Sequence, residues 1–186
     1  MKNKLKLKEI VVAAMISVIM GVVFTFIDSM YQPIQALLGP LGGDSIGGLY
    51  YVSALLSIYI IRKPGSALMG SLFTGIVNLL LGSPYGIHII IASALQGIGV
   101  EIVMAITRYK KYNFVTMALS SLLAALLVTC RDYFIFGLDL YAGMIPLMLL
   151  VRAVSAVILG AILSIGLGKA LNATGVLRGF AINSEE

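Results

Sequence analysis

Charge is what this sequence has least of: Asp, Glu, Lys and Arg make up 11% of its 186 residues, against roughly 25% in an ordinary soluble domain. Hydrophobic residues make up 60% and the mean hydropathy is +1.03, which excludes a water-soluble fold. Cysteine is reduced to Cys130, so neither an intrachain disulfide nor a thiolate metal cluster can form within the chain. Cys130 lies in an apolar run and is read as a small core residue. Histidine is reduced to His88, which removes any His-Glu-x-x-His zinc helix. There is no Gly-x-Ser-x-Gly nucleophile elbow, and the glycines between Gly39 and Gly48 lack the Lys-Ser/Thr that a phosphate-cradling loop requires. No internal repeat is evident, which argues against a self-sufficient ion-coupled transporter. No metal and no cofactor are expected.

What the sequence does have is long apolar runs. Six of them, over about 9–30, 44–61, 65–82, 87–108, 114–137 and 142–169, alternate with short polar gaps, and each is close to the roughly 20 residues of a membrane-spanning helix. The expected fold is a single all-α domain over 1–186, a six-transmembrane-helix bundle embedded in a lipid bilayer. No soluble domain of ordinary size fits beside it, so an energy-converting module would belong to another polypeptide. Lys2, Lys4, Lys6 and Lys8 precede the first run, Arg62 and Lys63 follow the second, Arg108, Lys110 and Lys111 follow the fourth, and Lys169 and Arg178 end the sixth. The gaps 31–43, 83–86 and 138–141 hold neither Lys nor Arg. The positive-inside rule therefore puts both termini in the cytoplasm and those three gaps outside. The net charge of +5 is dispersed over helix ends, as orientation and anionic-lipid contact require, and no nucleic-acid partner is expected. The basic start lacks a small-residue cleavage site followed by a polar segment, so it reads as an uncleaved first helix. The first outward gap is long for a helix connection and could lid an outward-facing pocket.

Polar side chains inside a membrane are costly and face a protein interior or a partner. Asn78, Arg131, Asp132 and Arg152 fall on the outer side of the midplane, Gln96 lies near the middle of its helix and Glu101 a turn or more deeper, and Asp28 and His88 lie near the outer interface. Glu101 either pairs with Arg131 or Arg152 to neutralise buried charge or points into an outward-open pocket; a pocket built around a salt bridge satisfies both. Ala13, Ser17 and Gly21 form a small-residue strip on the first helix at four-residue spacing. It packs against a helix of this chain or against an external membrane partner.

One block of residues resembles a known family. Tyr59-Ile60-Ile61-Arg62-Lys63-Pro64-Gly65-Ser66-Ala67-Leu68, then Asn78-Leu79-Leu80-Leu81-Gly82-Ser83-Pro84-Tyr85-Gly86, Gln96-Gly97-Ile98-Gly99-Val100-Glu101 and the basic Arg108-Tyr109-Lys110-Lys111 are similar to the substrate-binding S components of energy-coupling factor (ECF) vitamin transporters. Within these the YkoE type, associated with thiamine and its hydroxymethylpyrimidine precursor, is the nearest. The chain departs from that type in having Asn78 and Tyr85 where an acidic residue and a Trp are frequent, and it has no Trp at all.

The resemblance implies a multi-pass subunit of a bacterial plasma membrane that captures a vitamin on the outer side. It also implies a transmembrane T component and two cytoplasmic ATPases as partners, with toppling of the S component during uptake, and hence no catalytic activity of its own. In the family, small residues at four-residue spacing on the first helix contact the T component, and Ala13 and Ser17 occupy that place here. The polar chemistry of an aminopyrimidine could be met by Asn78, Gln96 or Glu101, and a cationic thiazolium by Asp132, Tyr50, Tyr51, Tyr85 or Tyr133, with His88 nearby. A flavin or biotin would also use aromatics and amides, so another vitamin stays open, as do a membrane-embedded enzyme using Glu101 or Asp132 and a purely structural subunit.

Overall fold

A computed structural model describes residues 5–182; Lys2 and Lys4, two of the orientation signals, lie outside the described residues. The chain is a bundle of helices: α1 (Leu7–Leu38), α2 (Pro40–Ile46), α3 (Val52–Ile61), α4 (Ser66–Leu80), α5 (His88–Ile106), α6 (Phe114–Ile135), α7 (Ile145–Ser155) and α8 (Leu163–Ala173). A short 3-10 stretch, Gly47–Tyr51, joins α2 to α3, and a wider π stretch, Ala156–Ile162, joins α7 to α8. Counted as continuous rods, Leu7–Leu38, Pro40–Ile61, His88–Ile106, Phe114–Ile135 and Ile145–Ala173 are long and apolar enough to cross a membrane. The remaining apolar helix, α4, has 15 residues, about 22 Å of rise. α1, α3 and α5 all pack against it.

Chain reversals sort the helix ends into two groups. The Gly39–Pro40 reversal, the 81–87 turn and the 136–144 turn lie at one end of the bundle, the cavity end. Arg62, Lys63, Arg108, Lys110, Lys111 and the first and last of the described residues lie at the other, the basic end. Lys63 pairs with Glu9 across 2.8 Å there, and the segment after α8 buries Leu177, Phe180 and Ile182 against the core.

The stretch 31–43 is not a loop. α1 continues to Leu38 with Pro33 inside it, and α2 starts with Pro40 in its first turn. Proline removes only its own N–H and the bond to the preceding turn; Ile34, Ala36, Leu37 and Leu38 continue the helix beyond it, and Pro40 suits a first helical turn. Polar Tyr31, Gln32 and Gln35 are therefore held at fixed helical angles rather than on a flexible lid.

The small-residue strip of α1 is used inside this chain. Ala13 and Ser17 are fully buried, the Ser17 hydroxyl donates to the Gly70 carbonyl of α4 at 2.9 Å, and a Cβ at Gly21 would come within 2.7 Å of Val77 Cβ. The membrane-facing side of α1 carries Leu7, Val11, Met15, Ile19, Val22 and Phe26 instead. The surface of the isolated subunit thus does not offer Ala13, Ser17 and Gly21 to a T component. Cys130 likewise differs from its reading as a core residue, being exposed on α6.

A second close approach joins two segments far apart in the sequence. The 3-10 stretch lies so near α7 that a Cβ at Gly48 would collide with the Ser155 carbonyl, so only glycine fits there. The contact is sealed by the Gly48 N–H donating to Ser155 Oγ at 2.8 Å and by that hydroxyl donating to the Ser45 carbonyl at 2.7 Å.

Replacing Ser17 by Leu is expected to lower the melting temperature of the purified subunit with no partner present, since overpacking a filled site costs about 1–3 kcal/mol. Thermal unfolding in detergent measures this; an unchanged midpoint would return the strip to the surface.

Candidate functional site

Two polar clusters form at the cavity end. The first centres on Asp28, one helical face along from Gly21 on α1 and 1% exposed. α4 ends in a Schellman motif: Gly82 adopts φ +90°, its N–H donates to the Leu79 carbonyl, and the Ser83 N–H returns to the Asn78 carbonyl. That turn sets Ser83 above Asn78, and both reach the same carboxylate. Asn78 Nδ2 donates to Asp28 Oδ2 at 3.0 Å and Ser83 Oγ donates to it at 2.8 Å. The Tyr50 hydroxyl donates to Oδ1 at 2.5 Å, and Thr25 donates to Asn78 Oδ1, which fixes the amide from its other side.

The second cluster is ionic. Arg152 of α7 donates from Nε to Asp44 Oδ1 at 2.7 Å, and from Nη1 to Asp132 Oδ2 at 2.7 Å and Thr129 Oγ1 at 3.0 Å. Arg131 embraces Asp132 Oδ1 from its other side, donates to the His88 carbonyl, and lies over the Phe136 ring. Two guanidinium groups thus share Asp132, and Arg152 ties α2 to α6 from α7. Asp44 is held through one oxygen only.

Between the clusters lies a cavity of about 330 Å³, at the lower end of the roughly 300–1,000 Å³ of small-molecule sites. Its wall is built from α1 (Asp28, Tyr31, Gln32, Gln35), α2 and the 3-10 stretch (Asp44, Tyr50, Tyr51), the 81–87 turn (Tyr85), α5 (Gln96), α6 (Arg131, Asp132) and α7 (Arg152). Tyr31, Tyr85 and Phe136 stand edge to face in sequence, with centroids 6.3 Å apart at each step. Two buried acceptors on the wall, Asp44 Oδ2 and Gln96 Oε1, receive no hydrogen bond. Buried polar atoms are nearly always partnered, so this arrangement is suited to an organic ligand that brings its own donors.

Residues 8–127 match the family described as "ABC-type cobalt transport system, permease component". A relative in Bacillus subtilis (strain 168), "Putative HMP/thiamine permease protein YkoE", is 32% identical over 97% of this chain and 91% of its own length. A solved structure titled "Crystal structure of an S-component of ECF transporter" superposes with a TM-score of 0.95 at 31% identity, covering 98% of this chain and 93% of the other. The chain belongs to the YkoE family of ECF-transporter S components. It is therefore a multi-pass membrane transport subunit and not an enzyme, and ATP hydrolysis resides in separate subunits.

Within this S component, Tyr50, Tyr51, Tyr85, Gln96 and Asp132 line the cavity. Asn78 stands one layer behind, as a support for Asp28. Tyr133 follows Asp132 by one residue, hence about 100° around α6, and is 43% exposed against Phe134. His88 contributes its carbonyl to Arg131 and its ring to Phe136, and is absent from the cavity wall. Glu101 neither reaches the cavity nor meets Arg131 or Arg152. It lies toward the basic end, where Oε1 accepts the Ala67 N–H in the first turn of α4 at 2.8 Å and Oε2 accepts the Tyr109 hydroxyl at 2.7 Å. Burial and the adjacent carboxylate push the Tyr109 phenol up, so it stays a donor.

Asp28, Asp44, Tyr31, Gln32, Gln35, Arg131 and Arg152 are wall residues outside the set expected from sequence. Two membrane arginines against the single nearby Asp132 were the available signal: further carboxylates had to reach them or their surroundings. Replacing Arg152 by Gln leaves Asp44 without its cation and Asp132 with Arg131 alone. The expected loss is about 3–5 kcal/mol of stability, read as a lowered melting midpoint in detergent and partly restored by adding Asp44→Asn. Glu101→Gln, remote from the cavity, should leave ligand affinity unchanged.

Proposed function

We propose that this S component captures thiamine or its hydroxymethylpyrimidine precursor at the cavity between α1, α2, α5, α6 and α7. The observation that carries this reading is the pair of buried, unpartnered acceptors Asp44 Oδ2 and Gln96 Oε1 on two residues that line the cavity. An aminopyrimidine brings an exocyclic amine whose two N–H groups need acceptors in a dry site, and the aromatic steps of Tyr31, Tyr85 and Phe136 provide faces and edges for a flat ring. The name of the Bacillus relative, an HMP/thiamine permease, points to the same ligand pair. A cobalt ion, suggested by the family description, is a poorer fit: Asp44 and Asp132 are engaged by Arg152, and among the described residues no three His, Cys, Asp or Glu side chains gather as a ligand set.

The cavity end faces outward in this reading, because the Lys and Arg residues flanking the helices collect at the opposite end. That basic end would then meet a transmembrane T component and two cytoplasmic ATPases, which supply the energy for uptake. Asp132, Tyr50, Tyr51 and Tyr85 act as wall residues around the ligand, with Asn78 holding the floor.

Calorimetry on the purified subunit with thiamine, hydroxymethylpyrimidine, riboflavin and biotin tests the ligand. One or both pyrimidines should bind, and Gln96→Leu should weaken that binding roughly tenfold or more, the equivalent of a lost buried hydrogen bond. Tight binding of riboflavin or biotin with no response to either pyrimidine would overturn the assignment.

A further inference from the structure

The charges on the cavity wall do not cancel. Asp28, Asp44 and Asp132 line one cavity with Arg131 and Arg152, three carboxylates against two guanidinium groups. The pairing identifies the surplus. Arg152 bridges Asp44 and Asp132, and Arg131 is bound to Asp132. Asp28 has Tyr50, Asn78 and Ser83 as its donors, all neutral, and among the described residues no Lys or Arg pairs with it. Among the described residues, the Lys and Arg other than Arg131 and Arg152 belong to the far end of the bundle, too distant to serve. A carboxylate that is 1% exposed without a counter-ion is costly in a protein interior, and costlier inside a membrane. Its three donors hold it rigidly toward the cavity, with the Tyr50 ring braced on Phe24 at 5.0 Å. The rings around it, Tyr31, Tyr50 and Tyr85, present electron-rich faces of the kind that receive quaternary nitrogen.

Resting on the function proposed above, we infer that Asp28 is the counter-ion of the ligand and that the cavity selects an organic monocation over a neutral molecule of the same shape. Among the two pyrimidines this singles out thiamine, whose thiazolium is permanently charged, over the neutral precursor. The unpartnered acceptors Asp44 Oδ2 and Gln96 Oε1 read the hydrogen-bonding end of the ligand, and Asp28 reads its charge. The two requirements are separable because the residues stand on different helices.

The test compares thiamine with deazathiamine, in which a neutral thiophene replaces the thiazolium, by calorimetry on the full-length wild-type subunit and on Asp28→Asn. Wild-type protein should bind thiamine at least about tenfold more tightly, the scale of one charge-assisted interaction, and Asp28→Asn should erase most of that ratio while retaining the neutral analogue. Equal affinities in the wild type would overturn the inference and leave the pyrimidine assignment standing. A ratio that survives in Asp28→Asn would overturn the role of Asp28. Failure of both compounds to bind wild-type protein would overturn the assignment itself and this inference with it. Should Asp28→Asn not fold, the wild-type ratio together with Tyr50→Phe, which removes one donor from Asp28, decides the matter: the ratio should shift in Tyr50→Phe, and its constancy would overturn the proposal.

Discussion

The structure depends on Arg152. In a bilayer its guanidinium would be a severe cost, and the fold meets that cost by bringing two carboxylates from distant parts of the chain onto it, Asp44 of α2 and Asp132 of α6. Because both partners must arrive for the charge to be tolerated, the position of α2 and the rotation of α6 follow from one side chain. The cavity is the space left between these elements, and its second boundary, α1, is held by a different device, the neutral bonds around Asp28. One wall is thus fixed by ions and the other by neutral donors.

The neighbouring backbone supports this arrangement. Ser155, three residues after Arg152, clasps Gly48 and Ser45 through its hydroxyl, so α7 grips the α2–α3 connection at two successive turns. Immediately afterwards the chain widens into the π stretch Ala156–Ile162, a geometry often found beside functional sites. Gly160 within it lies 3.4 Å, measured from an ideal Cβ, from the Gly48 carbonyl. The grip therefore needs small residues on both sides as well as the ion pair, and a membrane helix interface supplies them in the usual way.

Much of the architecture is legible in the sequence because hydrophobicity reports membrane depth directly. The six apolar runs reappear as helices, and the reversals fall at the expected gaps. The exception is instructive. Gln32, Pro33 and Gln35 look like a loop because their polarity resembles that of solvent-facing residues, yet they belong to α1; the polarity faces a cavity, and a single proline does not end a helix whose neighbours support it. The cavity wall is legible in part for a related reason. Sequence gives the depth of a polar residue but gives its direction only relative to its own helix, so Gln96 and Asp132 line the cavity while Tyr133, one residue on, points outward. Asp28 and Asp44 lay too near the interface to stand out, although the two arginines required acidic company. Depth alone also misled for Glu101, whose helix carries it toward the start of α4.

Glu101 and Asp28 show what separates a structural carboxylate from a ligand-facing one. Both are approached by a Schellman turn, at Gly82–Ser83 for Asp28 and at Arg108–Tyr109 for Glu101, where the Tyr109 N–H returns to the Met104 carbonyl. Each turn folds a hydroxyl back onto the acid, Ser83 in one case and Tyr109 in the other. At Glu101 the remaining oxygen is taken by the Ala67 N–H, where it also neutralises the positive end of α4. That carboxylate has a built-in electrostatic partner in the helix dipole and faces no cavity. Asp28 receives three neutral donors, lines the cavity, and lies beside the last turn of α4, near the C-terminus whose dipole repels rather than attracts an anion. The same helix thus stabilises one acid at its start and leaves the other in need of a positive charge at its end, and it is at that end that the bundle is hollow.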